Sequence, residues 1–147
     1  TFIPYLDGER TPNLPDARGS LHGMTRENMT PENTARSAIE GMFSGLADAV
    51  DALTVAGAPV NRVLLIGGAA ANPAVGQVAA TMFNVPIEVP PAGEYVADGA
   101  ARQAAWVLLG ELPIWNDGGT GQSQHFEPAF HGGIRANFRG AWDRLYT

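Results

Sequence analysis

The residues best suited to chemistry in this 147-residue sequence lie in the stretch LLIGGAAANPAVGQ, Leu64 to Gln77. The apolar run Val63–Ile66 ends in Gly67 and Gly68, and Asn72-Pro73 then starts a new element. Glycines carry no Cβ, so a base, a ribose or a phosphate can approach their backbone N–H groups, and a helix N-terminus nearby adds its positive end. In open α/β sheets ligands settle at the carboxyl ends of strands, where such turns lie. Asn72 adds an amide donor and a carbonyl acceptor at that edge. The same pattern also suits a tight strand-to-helix turn packed against its own protein, with Asn72 acting only as N-cap, and the pattern alone supports both readings. It contains neither the G-x-x-x-x-G-K-[ST] loop nor G-x-G-x-x-G.

Other chemistry-bearing residues carry less. Asp7, Glu9, Asp16 and Asp98 qualify as a catalytic base by residue type only, and Asp7 and Glu9 with Arg10 are better suited to shaping their own loop. His22, His125 and His131 have no metal-ligand spacing. Trp106, Trp115 and Trp142 suit docking of the tail onto the domain, and Met24, Met29, Met42 and Met82 suit core or loop filling. There are no cysteines, hence neither a disulfide framework nor a thiolate nucleophile. Charged residues make up 16% and the net charge is -6, which offers nucleic acid no basic field. No apolar run reaches the length needed to cross a bilayer, and no leader opens the chain, so the expectation is a cytoplasmic protein with no membrane partner. Asn28-Met29-Thr30 is read as a loop before a helix rather than a glycosylation acceptor.

The elements that position the glycine turn follow from punctuation and period. Residues 1–30 are broken by Pro4, Gly8, Pro12, Pro15, Gly19 and Gly23, leaving a structured loop with a short strand at Ser20–His22. Thr30 as N-cap and Pro31 at the first helical position open a long helix that Gly57 and Pro59 stop. Ala35, Ala38, Ile39, Met42, Phe43, Leu46, Ala49, Val50 and Leu53 form its apolar stripe. Arg62–Ile66 reads as a strand covered on both faces. A helix from Pro73 buries Val75, Val78, Ala79, Met82 and Phe83, and Pro86–Val89 is a second strand. A helix from about Val96 to Leu109 carries Ala97, Ala100, Ala101, Ala104 and Ala105, a face small enough for close packing against another backbone. Residues 111–133 lack period and read as an extended connector, and 134–147 as an amphipathic helix bearing Ile134, Phe138, Trp142 and Leu145. Helix, strand, helix, strand, helix requires parallel strand pairing. Two strands make a poor sheet, so the remaining strands are expected upstream in a longer chain.

Three motifs carry a family resemblance. PYLDGERTP (Pro4–Pro12) and ARGSLHGMT (Ala17–Thr25) resemble the xylulokinases of the FGGY carbohydrate kinase family. The second signature of that family is met by Gly19, Leu21, Gly23 and Met24, then by Asn33, Ser37, Ala38, Ile39 and Glu40, while Thr34 stands where it has an apolar residue. IGGAAANPAVGQ resembles the adenosine motif of actin-like ATPases, and YVADGAARQAAW (Tyr95–Trp106) the small-residue helix that closes that lobe.

The resemblance implies an α/β fold, the later part of an actin-like (ribonuclease H-like) lobe at residues 1–110. It implies ATP as cosubstrate with Mg²⁺ held through its phosphates, and nucleotide contacts at Gly68 and Asn72, with Gly67 and Ala69 beside them. The implied reaction passes the γ-phosphoryl of ATP to a sugar hydroxyl, the 5-hydroxyl of D-xylulose. The sugar pocket and the aspartate base are expected in an upstream lobe, so no catalytic or metal-ligating residue is assigned among these 147. Kinases of other ketoses, gluconate or polyols, and a non-catalytic actin-like module that binds nucleotide or a partner, are the alternatives. The last helix has three candidate seats: its own lobe, the other lobe, or a second copy in a homodimer. Residues 1–147 alone are expected to expose apolar edges, and a cooperative, high-temperature melt of that piece as a monomer would contradict this.

Overall fold

A computed structural model describes residues 1–114 and 121–147. Trp115 and the Asn116–Thr120 part of the connector lie outside the described residues. Two short strands come first, β1 (Phe2–Ile3) and β2 (Ser20–Leu21), paired antiparallel. Then follow α1 (Pro31–Val55), β3 (Val63–Leu64), a 3-10 turn (Gly68–Ala71), α2 (Pro73–Met82), β4 (Ile87–Val89), α3 (Tyr95–Leu109), β5 (Gln124–Phe126) and α4 (Gly132–Tyr146). A three-stranded sheet runs in the order β3-β4-β5, parallel between β3 and β4 and antiparallel between β4 and β5.

The helix starts follow the capping chemistry of the sequence. Thr30 Oγ1 accepts the Asn33 N–H at 3.2 Å, with Pro31 at the first helical position. The Glu32 carboxyl is held below the usual carboxylate range, chiefly by its own backbone N–H and then by the Thr30 hydroxyl. Asn28 belongs to the loop before the helix: its Oδ1 accepts the Thr25 N–H at 2.8 Å and its Nδ2 donates to the Gly23 carbonyl at 2.9 Å. Gly110, in the left-handed region at φ 76°, ends α3.

The main core forms where α2 is pressed between α1 and the sheet. Val75, Val78, Ala79, Ala80 and Met82 of α2 join Phe43, Ala47, Phe83 and Ile87, all buried. The Phe43 and Phe83 rings meet edge to face at 5.8 Å. Gly76 is required there, because a Cβ at that position would run into the Phe126 ring of β5. The tail then follows the end of α2, with the Ala129 and His131 N–H groups donating to the carbonyls of Ala80 at 2.8 Å and Thr81 at 2.9 Å.

A second core holds α4 on its own lobe. Phe138 and Ala141 are buried with Ile3, Tyr5 and Ala17, and the Tyr146 ring meets those of Tyr5 and Trp142 in tilted pairs at 5.9 and 5.5 Å. Arg135 reaches Asp48 at 3.1 Å and Asp51 at 2.5 Å, and Arg139 reaches Asp48 at 2.6 Å, tying α4 to the flank of α1. Among the described residues α4 packs on its own lobe, against β1, α1 and α2.

Several expectations change. The connector segment contributes β5, an edge strand whose QHF sequence lacks the alternation of a strand signal. The α1 stripe divides: Phe43 is buried with Ile39 and Val50 against the same core, while Met42, Leu46 and Leu53 are exposed, and Ala47, outside the expected stripe, is buried in their place. A stripe that wide can serve two partners, and one is present among the described residues. The expected burial of β3 on both faces is replaced by one covered face, with Leu64 half exposed at 50%. The alanine face of α3 is likewise not packed, and none of its residues is buried; Val107 and Leu108 are 86% and 85% exposed. Trp106 is exposed, whereas Trp142 docks as expected. Of the four methionines Met82 is a core residue, and Met24, Met29 and Met42 are exposed.

Apolar packing outweighs ion pairing in seating α4. Phe138→Ala is expected to cost about 3–5 kcal/mol as a buried aromatic truncation, and Arg135→Ala about 1 kcal/mol as a partly exposed ion pair. Denaturant unfolding of the two variants of the full-length protein measures the order, and a larger loss for Arg135→Ala would contradict it.

Candidate functional site

The carboxyl ends of β3 and β4 lie side by side because the strands are parallel, with Val63 opposite Ile87 and Leu64 opposite Glu88. The Leu65 N–H extends the ladder to the Glu88 carbonyl at 2.9 Å. Beyond those ends the chain opens a cavity of about 520 Å³, within the roughly 300–1,000 Å³ range of small-molecule sites. One wall is Leu65–Gly68 with Ala70 and Ala71, and another is Val89 through Tyr95. Gly121, Gln122 and Gln124 add a third side of the lining among the described residues. The Tyr95 hydroxyl donates to the Pro91 carbonyl at 2.5 Å, which braces the turn between β4 and α3.

Gly67 and Gly68 are glycines for different reasons. Gly67 has φ 96°, in the left-handed region, where a side chain would be strained. Gly68 has no positive φ, and among the described residues nothing lies within 4 Å of a Cβ placed on it. Neither backbone strain nor packing against the described residues therefore calls for glycine at position 68, and the position borders the cavity.

The other two expected site residues stand at the edge. Ala69 and Asn72 are exposed, are joined by an Asn72 N–H to Ala69 carbonyl bond at 3.2 Å, and do not line the cavity. Asn72 is the α2 N-cap, its Oδ1 accepting the Ala74 N–H at 3.0 Å. That bond occupies the oxygen and leaves the Nδ2 donors unused by the cap.

The walls are nearly neutral. Among the described residues Glu94 is the carboxylate in the lining, and no lysine or arginine lines the cavity. Apolar walls, backbone amides and two glutamine side chains suit a flat, polar-edged group such as a nucleoside better than a polyphosphate. Asp7, Glu9, Asp16, Asp98 and the three histidines do not line the cavity. Glu9 instead accepts the Arg10 and Thr11 N–H groups at 2.8 and 3.1 Å, shaping its own loop. His22 Nε2 is paired with Ser20 Oγ at 2.8 Å. Among the described residues no cluster of three or more His, Asp or Glu is placed to hold a metal ion.

Sequence reasoning overlooked the second and third walls. Pro90-Pro91 follows directly on the strand at Pro86–Val89, and a place just beyond a parallel strand is a signal that it shares an edge with Gly67. Gln122 and Gln124 had no local signal, since antiparallel pairing to β4 brings them there.

Comparison with known proteins shows the family of this chain. The model of the FGGY family of carbohydrate kinases, C-terminal domain, matches residues 1–108. This chain belongs to that family. A xylulose kinase of Streptomyces coelicolor is 44% identical over 112 residues, 76% of this chain and 23% of the relative. A glycerol kinase of Renibacterium salmoninarum is 33% identical over 152 residues, 99% of this chain and 28% of the relative. The crystal structure of a xylulose kinase from Bifidobacterium adolescentis superposes with a TM-score of 0.72 at 38% identity, covering 96% of this chain and 28% of that one. The FGGY chain thus spans about a quarter of the length of these relatives, and its fold is the later part of an actin-like ATPase lobe. No helix among the described residues is long and apolar enough to cross a membrane.

The cap geometry separates two roles of Asn72. Asn72→Ala removes the Oδ1 acceptor and is expected to lower stability by about 1 kcal/mol, whereas Asn72→Asp retains an acceptor beside the helix dipole and is expected to cost less. Thermal unfolding checks the order, and equal losses would remove the cap from the account.

Proposed function

We propose that this chain is the nucleotide-binding part of an ATP-dependent pentulose kinase, which passes the γ-phosphoryl of ATP to the 5-hydroxyl of D-xylulose. Membership of the FGGY family supports the reaction class, and the 44%-identical xylulose kinase supports the sugar. The observation that carries the nucleotide site is Gly68: neither φ nor packing among the described residues calls for glycine there, yet it borders a cavity at the carboxyl ends of parallel strands.

In this reading the nucleoside lies against the Gly67–Gly68 peptide groups, with Ala69 beside it, and Asn72 Nδ2 donates to it from the helix start. Glu94 in the lining disfavours phosphate at that end, so the phosphates extend out of the cavity toward the sugar. Phosphoryl transfer depends on positioning and charge neutralisation more than on covalent help from the protein. Mg²⁺, which this reaction class implies, would be held through the ATP phosphates and would supply charge neutralisation there. The aspartate that takes the hydroxyl proton belongs to the rest of the kinase, as does most of the sugar pocket, and a cytoplasmic setting accompanies this chemistry.

A second sugar or polyol has specific support, since the glycerol kinase relative aligns along 99% of the chain. The lobe described here holds the nucleotide end and leaves that choice to the sugar pocket.

A substrate panel on the full-length protein with MgATP is expected to give the highest kcat/KM for D-xylulose, and preference for gluconate or glycerol would replace the sugar assignment. Gly68→Val places a branched side chain in open space, so stability should hold within about 1 kcal/mol. The apparent KM for ATP should rise at least about tenfold, a contact loss of roughly 1.4 kcal/mol or more. Unchanged ATP kinetics in that variant would sink the site.

A further inference from the structure

The third wall of the cavity comes from the tail, after the end of the family match at residue 108. In β5, Gln124 is the register partner of Val89 and Phe126 of Ile87. Directly paired residues of neighbouring strands point to the same face of a sheet. Val89 and Ile87 are buried, and Phe126 packs on Gly76 of α2, so this is the face that carries α2. At the carboxyl end of β4 the 3-10 turn beginning at Gly68 also borders the cavity, and Gln124 lines that space. His125, between them, pairs with Glu88 and belongs to the opposite face. Gly121 holds the strand's approach in place: its φ is 154°, and a Cβ there would lie 3.2 Å from the Pro91 Cβ.

We propose that Gln124 is a nucleoside-contacting residue, its side-chain amide on β5 hydrogen-bonding the base or ribose of the ATP that rests on Gly67 and Gly68. The proposal rests on the nucleotide reading given above. A primary amide supplies donors and an acceptor together, matching the mixed edge of a purine nucleoside, whereas a phosphate offers only acceptors. Gln124 is exposed, so its amide can turn to meet the ligand without leaving a buried polar group unpaired. The cavity then reads its ligand from two sequence-distant sides, with bare peptide at Gly67–Gly68 and an amide fifty or so residues later, brought opposite by the β4–β5 pairing.

The test uses the full-length protein, with ATP kinetics and calorimetric binding of ADP. Gln124→Ala is expected to raise the apparent KM for ATP about three- to tenfold, the loss of one neutral hydrogen bond, with kcat within about twofold. ADP binding should weaken by the same factor. His125→Ala, on the other face of the strand, should change neither. Where Gln124→Ala does not fold, the isosteric Gln124→Glu takes its place and is expected to weaken both, because a carboxylate loses the donors and faces Glu94. Unchanged ATP and ADP affinity in the Gln124 variant overturns the proposal, and so does an equal loss in His125→Ala, which would make β5 a support only. Gly68→Val separates the layers: if it weakens ATP while Gln124→Ala does not, only the Gln124 contact falls. If neither has an effect, the nucleotide site itself is misplaced.

Discussion

Burial of α2 against α1 and the sheet is the constraint from which the rest of the structure follows. Met82, Ala79 and Ile87 have no exposed surface, and Phe43 has almost none. Each large side chain in such a core contributes on the order of 1.5–3 kcal/mol of burial. Once the apolar side of α2 is fixed there, its N-terminus has one place to go, beside the ends of β3 and β4. The turn from Gly67 to Asn72 is the short bridge that this placement leaves. The cavity is a consequence of packing several residues away, which is why a substitution at Gly76 or Phe126 would reach it without touching it.

The tail acts on the same core from outside. Phe126 seals the face of α2 at Gly76, the Ala80 and Thr81 carbonyls receive the chain beyond β5, and α4 returns across β1 and α1. Phe138 and Ala141 provide the apolar seat, and the Arg135 and Arg139 pairs with Asp48 and Asp51 orient it. Partly exposed pairs of this kind contribute little each, and their value is in selecting one register of α4 on α1. The tail thereby becomes part of the lobe and of its cavity wall.

Two surfaces have the composition of interior and the exposure of exterior. The outward half of the α1 stripe, at Met42, Leu46 and Leu53, and the end of α3, at Trp106 to Leu109, are uncovered among the described residues. The chain spans about a quarter of its relatives' length. Both helices formed in spite of that exposure, because Thr30 and Pro31 start one and Gly110 stops the other through local chemistry.

The sequence by itself determined what depends on neighbours in the chain: the starts of α1 and α2 at Thr30-Pro31 and Asn72-Pro73, the buried positions of α2, the parallel pairing of β3 and β4, and the glycine turn at their ends. These are set by φ restriction, capping and the helical period, each acting over a few residues, and for the strand pair by the crossover that the intervening helix imposes. Tertiary structure decided which half of the α1 stripe is covered, that QHF becomes a strand, that α4 sits on its own lobe, and that Gln124 and Pro91 face Gly68 across one cavity. Those outcomes arise from contacts between residues far apart in the chain, and neither the spacing nor the composition of either partner alone contains them. The difference between Gly67 and Gly68 was also a tertiary result, since a φ angle and the empty space around a missing Cβ exist only once the surrounding chain is in place.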